Sequence, residues 1–237
     1  MTHFCRRRAR AAVFAILIAC AGGSAAHADE YYFAIIFGSQ THPKTIRDTH
    51  TWATFVRAVG EGPDLNQYQL YVHTLSWMPA RLKVHVLRPF PEAGVNLSLE
   101  ETLRTAYGAR ENVTLWGPFV ITRQVYERSL EAYEKFMSGR MRYRAIDTRR
   151  DSDISDCIHA VTAIDPQFGR ERYPLIRVGV PASRYIARQI MMRSPYDQYL
   201  SDNAWLLPRL GLDQYPITVV PPSRIPKRGC TLCIKPD

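Results

Sequence analysis

One cysteine stands apart in this chain of 237 residues. Cys157 lies in the run Asp151-Ser152-Asp153-Ile154-Ser155-Asp156-Cys157-Ile158-His159, near the start of a segment with helical spacing. Backbone N–H groups at a helix start favour a thiolate, the form in which cysteine is a nucleophile. Arg149 and Arg150 push in the same direction, while Asp151, Asp153 and Asp156 oppose it. The bland reading of the same residue is a small buried hydrophobe.

A thiol nucleophile needs a base within hydrogen-bond reach and a third group to orient that base. Past residue 28 the histidines are His42, His50, His73, His85 and His159. Two positions from Cys157 on a helix, His159 points ~200° away around the axis and does not meet the thiol. His42 precedes a proline in a loop. His50 and His73 both fall in strand-like runs, where neighbouring side chains on one face lie ~5 Å apart, so they are the candidate base and orienter. Asp147 is an alternative third group, or a turn residue.

The elements that must position these groups can be read from periodicity. Tyr31 to Phe37 is an apolar run suited to a buried strand. His50 to Val59 and Tyr68 to Met78 predict a hairpin or adjacent pair, separated by the turn-forming Gly60-Glu61-Gly62-Pro63-Asp64. Arg81 to Leu87 alternates Leu82, Val84 and Val86 and predicts a fourth strand, ended by Pro89 and Pro91. Ser98 and Glu101 have capping-box spacing ahead of Leu99, Leu103 and Tyr107. The next helix, Thr122 to Met137, carries Val125, Tyr126, Leu130, Tyr133 and Met137 on one stripe. Arg142 to Ile146 reads as a short strand, Ser152 to Ile164 as the helix bearing Cys157, and Ser183 to Met192 and Tyr196 to Leu207 as helices. Tyr215 to Val220 is the last strand candidate. This is an α+β pattern, an antiparallel sheet packed with helices.

The order of these parts, with the histidine strands first and the cysteine helix about a hundred residues later, matters for the comparison with known families. His50-Thr51-Trp52-Ala53-Thr54-Phe55-Val56 and Asp156-Cys157-Ile158-His159-Ala160-Val161 resemble the catalytic-histidine strand and the Asn-Cys-x-His-Phe-Val helix start of the circularly permuted papain-like hydrolases. That group includes lecithin retinol acyltransferase and the permuted NlpC-like enzymes. The resemblance implies a permuted papain-like fold, with Cys157 as nucleophile, His50 as general base and His73 as third residue. It covers only these short motifs, and Asp156 stands where the family has Asn. The whole chain also resembles a family of exported bacterial proteins, which adds no activity.

Composition sets the frame. Arg6, Arg7, Arg8 and Arg10, the apolar run Ala11 to Ala19 and the stretch ending Ala26-His27-Ala28 predict a signal peptide over 1–28. Cys20 closes a lipobox-like Leu17-Ile18-Ala19-Cys20, so a lipid-anchored alternative to simple secretion stands beside it. Removing the signal takes away four arginines and no acid, lowering the formal charge from +9 to +5. Without a dense basic stripe, nucleic acid is not an expected partner. No later apolar run approaches the ~20 residues of a membrane span. A 46% apolar chain predicts one globular domain over 29–222, followed by a Pro- and Cys-containing tail over 223–237. In an oxidising compartment Cys230 and Cys233 can pair, leaving Cys157 reduced; the same Cys-x-x-Cys spacing is the basis of a redox reading. Zinc would need a second such pair, so neither metal nor cofactor is expected. Gly38-Ser39 lacks the glycine pattern of a serine nucleophile turn. Trp77, Trp116, Arg140 and Arg144 could line a polymer-binding groove, or be core and surface respectively. The expectation is thus an exported thiol hydrolase or acyltransferase, acting on amide or ester bonds in cell-wall peptides or lipids. Its rival is a non-catalytic exported binding or structural protein.

Overall fold

The computed structural model describes residues 28–146, 152–164, 178–193 and 203–225. The expected signal peptide, Cys20, Asp147, residues 196–202 of an expected helix, Cys230 and Cys233 lie outside the described residues.

Two sheets organise the chain. The larger has five strands in the order β3-β2-β1-β6-β9: β1 (Asp29–Gln40), β2 (Thr49–Gly60), β3 (Gln69–Leu75), β6 (Asn112–Val120) and β9 (Thr218–Val220). The smaller runs β4-β5-β7-β8: β4 (Trp77–Pro79), β5 (Glu92–Asn96), β7 (Arg142–Tyr143) and β8 (Ile154–Ser155). The pairings are antiparallel except at one edge of each sheet, where β9 joins β6 and β8 joins β7 in parallel. Helices α1 (Leu99–Gly108), α2 (Arg123–Met137), α3 (Cys157–Thr162), α4 (Val180–Arg193) and α5 (Leu206–Arg209) complete the α+β architecture.

Central β1 is covered on both faces, which is why its sequence is continuously apolar rather than alternating. Tyr32, Ala34 and Ile36 join the core shared with Ala53, Phe55, Tyr126 and Val161. Ile35 and Phe37 join Trp52 and Leu103 on the opposite face, under α1. The β2–β3 hairpin forms as the turn residues predict, in the register Ala53↔Leu75 to Val59↔Gln69.

Several expectations are corrected. Tyr68 to Met78 is not one strand: at Ser76 the chain passes from the large sheet to the small one, with the Ser76 N–H donating to Asn96 Oδ1 at 2.8 Å. Arg81 to Leu87 is a loop, because β4 pairs with β5 and leaves the intervening residues without a strand partner. Leu82 there adopts φ 54, and Leu87 is 91% exposed. The α2 stripe is rotated: Tyr126, Ser129 and Phe136 are buried, while Leu130 and Met137 face solvent. Arg142 to Ile146 shortens to Arg142–Tyr143, and Tyr215 to Val220 to Thr218–Val220. The cysteine helix starts at Cys157 rather than Ser152, because Ile154–Ser155 extends the small sheet and Asp156 is the N-cap. The next helix begins at Val180, ahead of the expected Ser183. At Gly94 a side chain has no room, since a Cβ would lie 2.0 Å from the Trp77 ring.

Candidate functional site

His50 is the second residue of β2 and points to the face covered by α1. It is buried, and its ring stacks on Trp52 at 5.3 Å, which in turn stacks on Phe37 at 5.1 Å. The two imidazole nitrogens have different surroundings. Nε2 lies 2.8 Å from Ser76 Oγ, and that hydroxyl lies 2.8 Å from Thr102 Oγ1 on α1. Nδ1 is buried without a hydrogen-bond partner among the described residues. Burial holds the ring neutral, pushing its pKa down to about 3.

Cys157 reaches the same end of β2 from the other side. Asp156 caps α3, its Oδ1 accepting from the Ile158 and His159 N–H groups at 2.8 Å each, while Oδ2 lies 2.7 Å from His159 Nδ1. The β2–β3 ladder begins only at Ala53↔Leu75, leaving the β2 backbone at Thr51 open to α3, which packs on β2. The Thr51 N–H, next in chain to His50, is directed at the Cys157 thiol, as are the N–H groups of Cys157 and Ile158. These donors favour the thiolate, but burial and then the Asp156 carboxylate outweigh them, and the thiol is pushed up to about 12. At neutral pH the resting groups are therefore a thiol and a neutral imidazole.

His73 lies elsewhere. It pairs with Phe55 across the hairpin, and Phe55 is an odd number of residues from His50, so the two histidines occupy opposite faces of the sheet. Its Nε2 is 2.8 Å from Ser129 Oγ, its ring sits among Phe55, Tyr126 and Tyr133, and burial lowers its pKa to about 4. The structure therefore brings His50 and Cys157 to one stretch of β2 and does not bring His73 to them. No direct hydrogen bond joins Cys157 to either histidine among the described residues.

Ser76 and Thr102 are the residues that sequence reasoning missed. Their signals were weak but present: Ser76 interrupts an apolar run, and Thr102 sits one turn into the helix that the Ser98–Glu101 capping box announces. Ser39, opposite His50 in the β1–β2 register, donates its hydroxyl to Glu111, whose carboxyl burial raises above the usual range. Trp77 and Trp116 are core residues and Arg140 is exposed, so they do not form a groove together. Among the described residues no cluster of three or more His, Cys, Asp or Glu could hold a metal, and no helix is long and apolar enough to cross a membrane. Compared with family models, with curated proteins and with solved structures, the chain matches none of them.

Proposed function

We propose that the protein is an exported thiol hydrolase or acyltransferase of permuted papain-like design, with Cys157 as nucleophile, His50 as general base and Ser76, in place of His73, as the orienting group. One observation carries this reading: among the described residues the buried His50 ring has Nε2 anchored on Ser76 and Nδ1 unpartnered, while the Cys157 thiol sits at the N–H of the next residue. An Nε2–H donated to Ser76 leaves the Nδ1 lone pair to take a proton. The Cys157 sulfur attacks an amide or ester carbonyl carbon as its proton passes to Nδ1. The proton then goes to the departing amine or alcohol, and water or a second acceptor releases the thioester. Because thiol and imidazole are both neutral at rest, proton transfer accompanies attack instead of preceding it. Export suggests cell-wall peptides or lipid esters as substrates.

The high thiol pKa, together with the packing of Cys157 against the main core, favours the rival reading, a non-catalytic binding or structural protein. A thiol-directed chloroacetamide probe at neutral pH separates the two. Under the proposal, His50→Gln lowers the rate of Cys157 labelling by ~10²-fold or more, as removal of a general base does, and Ser76→Ala lowers it less. Equal labelling of wild type, His50→Gln and Ser76→Ala, all shown folded by thermal melting, overturns it in favour of the rival.

A further inference from the structure

The loop between β4 and β5 departs from what a soluble surface ordinarily shows. Residues 80–91 read Ala-Arg-Leu-Lys-Val-His-Val-Leu-Arg-Pro-Phe-Pro, with three strong bases and no acid. Its largest apolar side chains face outward: Leu87 is 91% exposed, Phe90 74% and Leu82 43%. The hydrogen bond from Leu82 N–H to Pro79 O, at 2.8 Å, closes a turn that holds Leu82 in the left-handed region and out of the core. Arg47, from the turn before β2, joins Val84, His85, Val86, Leu87 and Arg88 around an open recess of about 480 Å³. Arg88 is paired with Glu92 at 3.1 Å, the first acid after Asp64 in the chain.

Single exposed apolar residues need no explanation, but a leucine and a phenylalanine projecting together from a loop bordered by bases do. A protein partner would need a matching acidic and apolar surface. A bilayer with anionic headgroups supplies both features at once, since acyl chains take the apolar tips and phosphates take the bases. We infer that the 80–91 loop is a docking element for an anionic phospholipid surface, with Leu87 and Phe90 entering the interface and the exposed Arg81 and Lys83 facing the headgroups. The inference does not depend on the thiol chemistry.

The test reads position 87 itself in the full chain, because the apolar run Ala11 to Ala19 could bind lipid by itself. Leu87→Trp protein is mixed with vesicles of equal parts phosphatidylglycerol and phosphatidylcholine, brominated on the acyl chains. Its emission is compared with that of wild-type protein, whose four tryptophans report the background. The expected result is extra quenching at position 87 that vanishes with pure phosphatidylcholine. Quenching should also fall as NaCl rises from about 0.1 M to about 1 M, where the screening length shrinks from about 10 Å to 3 Å. Adding Arg81→Gln or Lys83→Gln should weaken the quenching isotherm about fivefold each, and Phe90→Ser at least about tenfold. Cys157→Ala should leave all of this unchanged, which keeps the result separate from the fate of the thiol proposal. Quenching no greater than wild type, or equal quenching by neutral vesicles, overturns the inference. So does a concentration-dependent dimer abolished by Phe90→Ser, which would assign the loop to a second copy of the chain.

Discussion

Lowering the pH from 7 to 5 should destabilise this protein by about 4 kcal/mol through two histidines alone. His50 and His73 are only 5% and 7% exposed, and burial depresses their pKa values from 6.5 to about 3 and about 4. Above pH 6.5 both rings are neutral whether the chain is folded or unfolded, and the full stability is present. As pH falls below 6.5 the unfolded chain takes up two protons that the folded chain refuses, so stability is lost until the folded pKa values are reached. At pH 5 each ring is 1.5 units below its unfolded pKa, worth about 2 kcal/mol at about 1.36 kcal/mol per unit. Against the 5–15 kcal/mol typical of a folded domain this is a large fraction. Glu111 works in the opposite direction, since a carboxyl raised by burial takes up its proton more readily when folded, so the comparison is cleanest in a Glu111→Gln background. The assay is urea unfolding followed by tryptophan fluorescence at pH 7 and pH 5, in wild type and in His50→Gln/His73→Gln protein. The double variant should lose most of the pH dependence, whatever its absolute stability. Equal wild-type stability at the two pH values would refute the reasoning, because it would mean that the folded protein accommodates both protons.

Other consequences follow from the same geometry. Asp156→Asn keeps an N-cap of equal strength but removes the charge that raises the Cys157 thiol, so iodoacetamide alkylation of Cys157 at pH 8, read by peptide mass spectrometry, should quicken roughly three- to tenfold; an unchanged rate would discount the carboxylate. In the small sheet, Gly94→Ala places a Cβ against the Trp77 ring and should lower the urea-unfolding free energy by about 1–3 kcal/mol or more. On α2, Phe136→Ala should cost about 3–5 kcal/mol while Leu130→Ala stays within about 0.5 kcal/mol, and the reverse order would contradict the observed face of the helix. Ser129→Ala, which leaves His73 Nε2 without its hydroxyl partner, should cost about 1–3 kcal/mol in the same assay.

The chain's local grammar was legible to the extent that short-range forces write it. The α1 capping box, the start of α2 at Thr122, which turned out to be its cap, and the hairpin turn at Gly60–Asp64 each depend on residues within a few positions of one another. Arg81–Leu87 failed as a strand because alternation describes only one side of a pairing, and among the described residues no strand pairs with it. The α2 stripe was misread because Ser129, a polar residue, is drawn inward by the buried His73 that waits on β3.

The candidate site divides in the same way. Residue types and order singled out Cys157 as a thiol and His50 and His73 as base and orienter, because a nucleophile at a helix start and histidines in strands are local features. Which histidine lies near the cysteine along β2 was decided only by the sheet register: His50 adjoins Thr51, whose N–H meets the Cys157 thiol, whereas His73 pairs with Phe55, further along the strand. The orienting group was likewise a tertiary outcome: Ser76 becomes a partner of His50 only because the chain leaves one sheet for the other there, and α1 brings Thr102 down behind it. The state of the thiol, too, is a property of burial rather than of sequence. The N–H donors at the helix start were anticipated, but the desolvation that outweighs them exists only once α3 is packed on β2.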